Sequence, residues 1–164
     1  MFLATSSLLS QTSASEVVEQ VRAQQFETAC ANVSVWLQKE PTSDALKMSL
    51  VQCLLFQNNG RTQKIYQSDL KKALKLLHES IQTYESVPGE SKQLAMRYFY
   101  AALVHWYLDQ PDLSLSAFER AYRTDTTLVA ALYNPITLLE ELGRYREAET
   151  YKQTYRLIAT NPDF

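Results

Sequence analysis

The residues of this chain best suited to metal binding or nucleophilic chemistry are Cys30, Cys53, His78 and His105. A structural zinc site needs ligands in short paired spacings such as Cys-x-x-Cys, and these four residues have none. Each cysteine falls within an apolar helical pattern and is expected as a small buried hydrophobe. A disulfide between them requires neighbouring helices to bring them close. His78 stands beside Glu79, and His105 lies within an apolar helix, so both read as surface or packed imidazoles rather than bases. Glu140 and Glu141 are adjacent, so on a helix they point about 100° apart and cannot share a proton. There is no glycine-rich phosphate loop, no His-Glu-x-x-His and no Gly-x-Ser-x-Gly. The expectation is a chain without catalytic residues, metal or cofactor.

The elements around these residues are helical. The chain has 164 residues, 46% of them apolar and 21% charged, with only three glycines and five prolines. An all-β chain needs many more turn residues, so long helices with short loops fit better. The length corresponds to one domain. A net charge of −2 gives no general attraction to polyanions, which speaks against nucleic acid as partner. No apolar run approaches the roughly 20 residues of a membrane span. Residues 1–12 read as a flexible or docked arm, with Phe2, Leu3, Leu8 and Leu9 able to enter a groove. The arm carries no Lys or Arg and makes a poor secretory signal, so the expected location is cytoplasmic.

Apolar spacing predicts eight helices, over about 14–24, 26–39, 43–57, 63–85, 90–109, 112–124, 127–142 and 144–159. Ser13-x-x-Glu16 is a capping-box signature for the first. Pro111 suits a helix start and Pro41 a helix end. In the fourth helix Ile65, Leu70, Ala73, Leu74, Leu77 and Ile81 form an apolar stripe. Its opposite face carries Lys64, Lys71, Lys72 and Lys75, which reads as a solvated face or as a contact for an acidic partner.

A faint repeat runs through these helices. Ala148, Tyr151, Tyr155 and Ile158 follow the turn at Gly143, and Leu115, Phe118, Ala121 and Tyr122 stand one period of about 34 residues earlier. Phe26, Ala29, Val33, Trp36 and Pro41 have the same mutual spacing near the start. The second unit is stretched by about half a repeat around residues 58–69. Small residues (Ala29, Ser114, Ala148) would let the two helices of a hairpin approach closely.

With this pattern the chain resembles the tetratricopeptide repeat family from about Ser13 to Pro162. The resemblance implies an all-α, right-handed superhelix, or α-solenoid, of about four stacked hairpins, forming a single domain over 13–164. It also implies a concave groove lined by the first helix of each hairpin. The matching positions are Met48, Gln52 and Leu55, then Met96, Phe99, Leu103, Trp106 and Tyr107, then Tyr133, Thr137, Glu140 and Glu141. Family members that clamp an acidic C-terminal tail use Lys, Asn and Arg there, and only Asn134 fits that set. The groove is therefore expected to hold an apolar or amphipathic segment of a partner protein, as an adaptor or chaperone-like module does. The aromatic surface could instead serve a homodimer or a seat in a larger assembly. RNA binding in the manner of pentatricopeptide repeats is the weaker alternative.

Overall fold

The computed structural model describes residues 12–57 and 60–159. The described residues form eight helices and no strands, so the chain is all-α. They are α1 (Ala14–Arg22), α2 (Phe26–Lys39), α3 (Asp44–Phe56), α4 (Gln63–Glu85), α5 (Ser91–Tyr107), α6 (Pro111–Thr124), α7 (Ala130–Glu141) and α8 (Tyr145–Ala159). The chain divides into two compact units, one up to Leu76 and one from Leu77 on; α4 begins in the first and ends in the second. Phe2, Leu3, Leu8 and Leu9 of the expected arm lie outside the described residues. The capping box is present at α1: the Ser13 hydroxyl accepts from the Glu16 N–H at 3.3 Å, and the Ser13 N–H donates to Glu16 Oε2 at 2.6 Å. Pro111 opens α6.

Three of the helix pairs are joined by the same backbone device. Helices α1, α5 and α7 each end on a residue in the left-handed region: Gln24 (φ 60°), Asp109 (φ 58°) and Gly143 (φ 71°). The next N–H then reaches back to a carbonyl of the last turn: Gln25 to Gln20, Gln110 to His105 and Arg144 to Leu139, at 2.8–2.9 Å. These paired bonds are the Schellman arrangement, which satisfies the orphan carbonyls of a helix end. Five residues after each left-handed residue stands Ala29, Ser114 or Ala148, and all three are fully buried. The Ser114 hydroxyl donates to the Ala102 carbonyl of α5 at 2.8 Å, a contact that requires the α5 and α6 backbones to lie close. Asp109 and Gly143 are 34 residues apart and Gln24 and Asp109 are 85 apart, so the spacing recurs in the backbone.

The α3–α4 connection departs from the device. Helix α3 ends at Gln57 in an extended conformation (φ −64°, ψ 114°), and Gly60 supplies the positive φ (68°). Here a side chain does what the Schellman bonds do elsewhere. The Arg61 guanidinium donates to the Leu54 carbonyl at 2.9 Å and to the Gln57 carbonyl at 2.5 Å. It also pairs with Asp69 of α4 at 2.8 Å and lies over the Tyr66 ring at 4.9 Å. A cation over the last carbonyls of a helix is favoured by the helix dipole as well as by hydrogen bonding.

The first unit packs Val17 and Val21 of α1, Ala29 and Val33 of α2, and Leu46 and Val51 of α3, all nearly or fully buried. The expectation of two separate buried cysteines is corrected here. Cys30 of α2 and Cys53 of α3 are joined as a disulfide, with their Cα atoms 5.6 Å apart. Antiparallel packing of α2 on α3 faces the two thiols, which the chain alone does not reveal. Closing a loop of this length contributes about 3 kcal/mol in the chain-entropy picture.

In the second unit α5 is buried around much of its girth: Ala101, Ala102, Leu103 and Val104 are consecutive core residues. Such a helix is covered on more than one face. Arg97, 1% exposed, is held through Nε on the Ser80 hydroxyl at 2.6 Å, through Nη1 on the Gln93 carbonyl at 2.5 Å, and lies over the Tyr84 ring at 3.7 Å. A buried guanidinium is tolerated only when its donors are used in this way.

The left-handed turns predict opposite effects of glycine. Asp109→Gly should raise the unfolding free energy by about 1 kcal/mol, since only glycine adopts this conformation without steric cost. Gly143→Ala should lower it by a similar amount, although a Cβ there meets nothing closer than a Tyr145 ring atom at 4.0 Å. Urea midpoints of the two variants check both; midpoints that move the same way contradict the shared turn geometry.

Candidate functional site

The groove positions fall in both units. Met48, Gln52 and Leu55 belong to the first. They form one stripe of α3, with Met48 and Gln52 half-buried and Leu55 in the core at 4% exposure. The rest belong to the second unit, on α5 and α7, and they do not all share one face.

On α5 the aromatic residues divide by direction. Phe99 stacks edge-on against Phe118 of α6, with ring centroids 5.6 Å apart. Trp106 packs against a buried cluster of Leu115, Leu138, Leu139 and Ala148. Both are therefore parts of the packing between α5, α6 and α7. A different stripe contains Met96, Tyr100, Leu103 and Tyr107, at helical spacings of four, three and four residues. Met96 and Tyr100 are half-buried, Leu103 is buried at its base and Tyr107 is 42% exposed. Burial pushes the Tyr100 phenol above the usual tyrosine range. Tyr100 was missed by reading the chain alone, although its spacing from Met96 and Leu103 places it on that stripe.

On α7, Tyr133, Thr137 and Glu140 form a stripe that meets α8. The Tyr133 ring lies 5.9 Å from the Tyr155 ring, and Glu140 forms an ion pair with Lys152. Thr137 sits half-buried between them and Glu141 is exposed. Tyr133 is nevertheless 55% exposed, so much of its ring faces solvent. Asn134 uses its amide on the Ala130 carbonyl at 2.8 Å, within its own helix.

The polar groups of the second unit are arranged to join helices. Tyr98 of α5 donates to Glu85 of α4 at 2.5 Å, and Arg120 of α6 contacts both the Glu85 carboxylate (2.9 Å) and the Tyr98 hydroxyl (2.6 Å). Burial first, and the bond to Glu85 second, push the Tyr98 phenol up from 10.0 to about 12. That direction makes it a poorer base and nucleophile at neutral pH.

Between α6 and α8 lies an open cleft of about 410 Å³, floored by Leu115 and Tyr151. Arg144 bridges its rim, pairing with Asp112 at 2.8 Å and Glu147 at 2.6 Å. The bond from Arg144 holds the Glu147 carboxyl below its usual range. The described residues contain no group of three or more His, Cys, Asp or Glu side chains placed to hold a metal ion. His105 Nδ1 lies 2.7 Å from Gln110 Oε1 at the turn, and His78 is exposed.

The Tyr98 network carries a pH dependence with a definite sign. A phenol whose folded pKa is raised stabilises the fold fully below pH 10.0, and that contribution is lost as the pH climbs toward about 12. Stability should therefore fall over that interval. Tyr98→Phe should remove one late-titrating phenol from the ultraviolet titration of the folded protein. A variant curve that loses an ordinary phenol near pH 10.0 instead would show that Tyr98 is not held this way.

No family model matches this chain, and no curated protein matches it either.

Proposed function

We propose that this protein is a non-catalytic protein–protein interaction module, adaptor or chaperone-like in action. It would hold an apolar or amphipathic segment of a partner protein in the concave groove of a right-handed, tetratricopeptide-type superhelix. The observation that carries this reading is the α5 stripe of Met96, Tyr100, Leu103 and Tyr107. A helix already packed on its other faces still presents aromatic and methionine side chains that are only partly covered. Aromatics and methionine are enriched where proteins meet, because they offer large contact area and adapt to a partner's shape. The turn residues, the small residues and the Tyr98 network are engaged in holding helices together, which favours a scaffold presenting a surface over a reaction site.

The test places a photo-cross-linking residue at Met96 or Tyr107, and separately at exposed Arg146 of α8, in the protein's own cell. Adducts to one partner from the first two positions and none from Arg146 support the groove. Equal adducts from all three positions, or none, reject it. A dominant adduct of twice the chain mass would instead favour the assembly reading, for which exposed Leu113 (54%) and Tyr145 (67%) are the motivating residues.

The disulfide bears on location. Among the described residues no helix is long and apolar enough to cross a membrane. The cytoplasmic expectation rests on residues 1–12, which fall almost entirely outside the described part. Buried structural disulfides are rare in reducing compartments, so we read Cys30–Cys53 as favouring an oxidising one. Alkylation of the protein on cell lysis should then find no reactive thiol after denaturation; two alkylated cysteines would return the chain to a reducing compartment.

A further inference from the structure

The bond between α2 and α3 occupies a position that the chain fills differently in its second unit. Cys30 follows the left-handed Gln24 by six residues, and Leu115 follows the left-handed Asp109 by six. Cys53 lies 23 residues beyond Cys30, and Leu138 lies 23 beyond Leu115. One offset of 85 residues therefore relates both members of the pair. Leu115 and Leu138 belong to one buried cluster with Leu139, and Trp106 packs against it. At the same offset Trp106 corresponds to Val21 and Leu139 to Leu54. The joint between α6 and α7 is thus filled by leucines and a tryptophan, with no covalent bond. The joint between α2 and α3 has a valine for the tryptophan and two cysteines for two of the leucines. Helices α1 and α2 bring little else to it. Their buried side chains are Val17, Val18, Val21, Ala29, Cys30 and Val33, none larger than valine. Phe26 adds a ring contact with Phe56 of α3, centroids 6.0 Å apart, but Phe56 is exposed. Apolar stabilisation scales with the area buried, so this joint gains less from packing than its counterpart.

We infer that Cys30–Cys53 is a redox clasp, a device independent of the α5 stripe. Oxidised, it holds the α1–α2 hairpin on α3. Reduced, it leaves an underfilled joint from which the hairpin opens as a unit and uncovers α3. Leu46 and Leu50 precede Cys53 by seven and three residues and share its face, so they are the buried apolar side chains that opening bares. The reductant is a dithiol. One of its thiolates attacks a cysteine sulfur, forming a mixed disulfide and releasing the other cysteine as a thiolate. Its second thiolate then displaces the first cysteine. Two electrons and two protons pass to the cysteine pair, and the reductant leaves as a disulfide. Both cysteines are buried, so attack waits on local opening of the hairpin.

The test follows amide hydrogen exchange by mass spectrometry on the full chain, with and without dithiothreitol. Reduction should speed exchange across residues 14–39 by about tenfold or more and leave residues 91–159 unchanged. Fluorescence of a dye that binds apolar surface should rise in step. Cys30→Ser with Cys53→Ser should reproduce the reduced pattern without reductant. Cys30→Leu with Cys53→Leu, which installs the pair found at Leu115 and Leu138, should keep residues 14–39 protected with or without dithiothreitol. Unchanged exchange in the reduced chain overturns the proposal. So does loss of protection over 14–39 and 91–159 together, which would make the bond a brace for the whole chain. A leucine variant no better protected than the serine variant also overturns it, because filling the joint would then not decide whether it opens.

Discussion

The architecture depends on how closely two helix backbones approach at the turns of the α1–α2, α5–α6 and α7–α8 hairpins. A left-handed residue turns the chain sharply enough that a position five residues on faces the preceding helix, where only a small side chain fits. Ala29, Ser114 and Ala148 occupy that position with no exposed surface. A larger residue there would push the pair apart and open a gap along the hairpin, and packed interiors resist such overfilling. The consequence reaches the proposed binding stripe. The orientation of α5 follows from its contact with α6 at Ser114, and with it the direction of Met96, Tyr100, Leu103 and Tyr107.

That constraint also separates what the chain discloses from what it conceals. The small residues and Gly143 were legible because a small side chain at a fixed interval marks close helix contact, and a glycine between two apolar stripes marks a turn. Helix α4 was legible over Gln63–Glu85 because its apolar stripe runs unbroken. Gln24 and Asp109 were not, since neither residue type announces a left-handed conformation, and the geometry emerges only from the backbone bonds behind them. The Cys30–Cys53 bond was hidden for a different reason. It depends on the facing of α2 and α3, and apolar spacing within one helix carries no information about which turn of a neighbour it meets. Arg61 was hidden likewise: a guanidinium in a loop becomes a helix cap only once the loop folds back on Leu54 and Gln57.

For the candidate groove, helical spacing pointed to α5 but did not separate its faces. Met96, Leu103 and Tyr107 lie on the partly open stripe, whereas Phe99 and Trp106 point into neighbouring helices. All five are large and apolar, so residue type could not distinguish them. The distinction comes from two neighbours packing on one helix at once. Arg97 fixes one face of α5 against Ser80 and Tyr84, a buried role that a charged residue type does not announce.

The two polar centres of the second unit have unequal consequences for stability. Arg97 is almost fully buried, and truncating it would empty a packed site and remove its bonds to the Ser80 hydroxyl and the Gln93 carbonyl, a cost of about 3 kcal/mol. Arg120 has more than half of its side chain exposed, so its ion pair with Glu85 is screened and contributes little beyond its stacking on Tyr98. Helix α5 is thus tied to α4 through Arg97 and to α6 through the Ser114 and Phe118 contacts, with Arg120 adding little. A partner pressing on Met96 and Tyr107 would meet a helix already restrained from behind, and little ordering entropy would be lost when it bound.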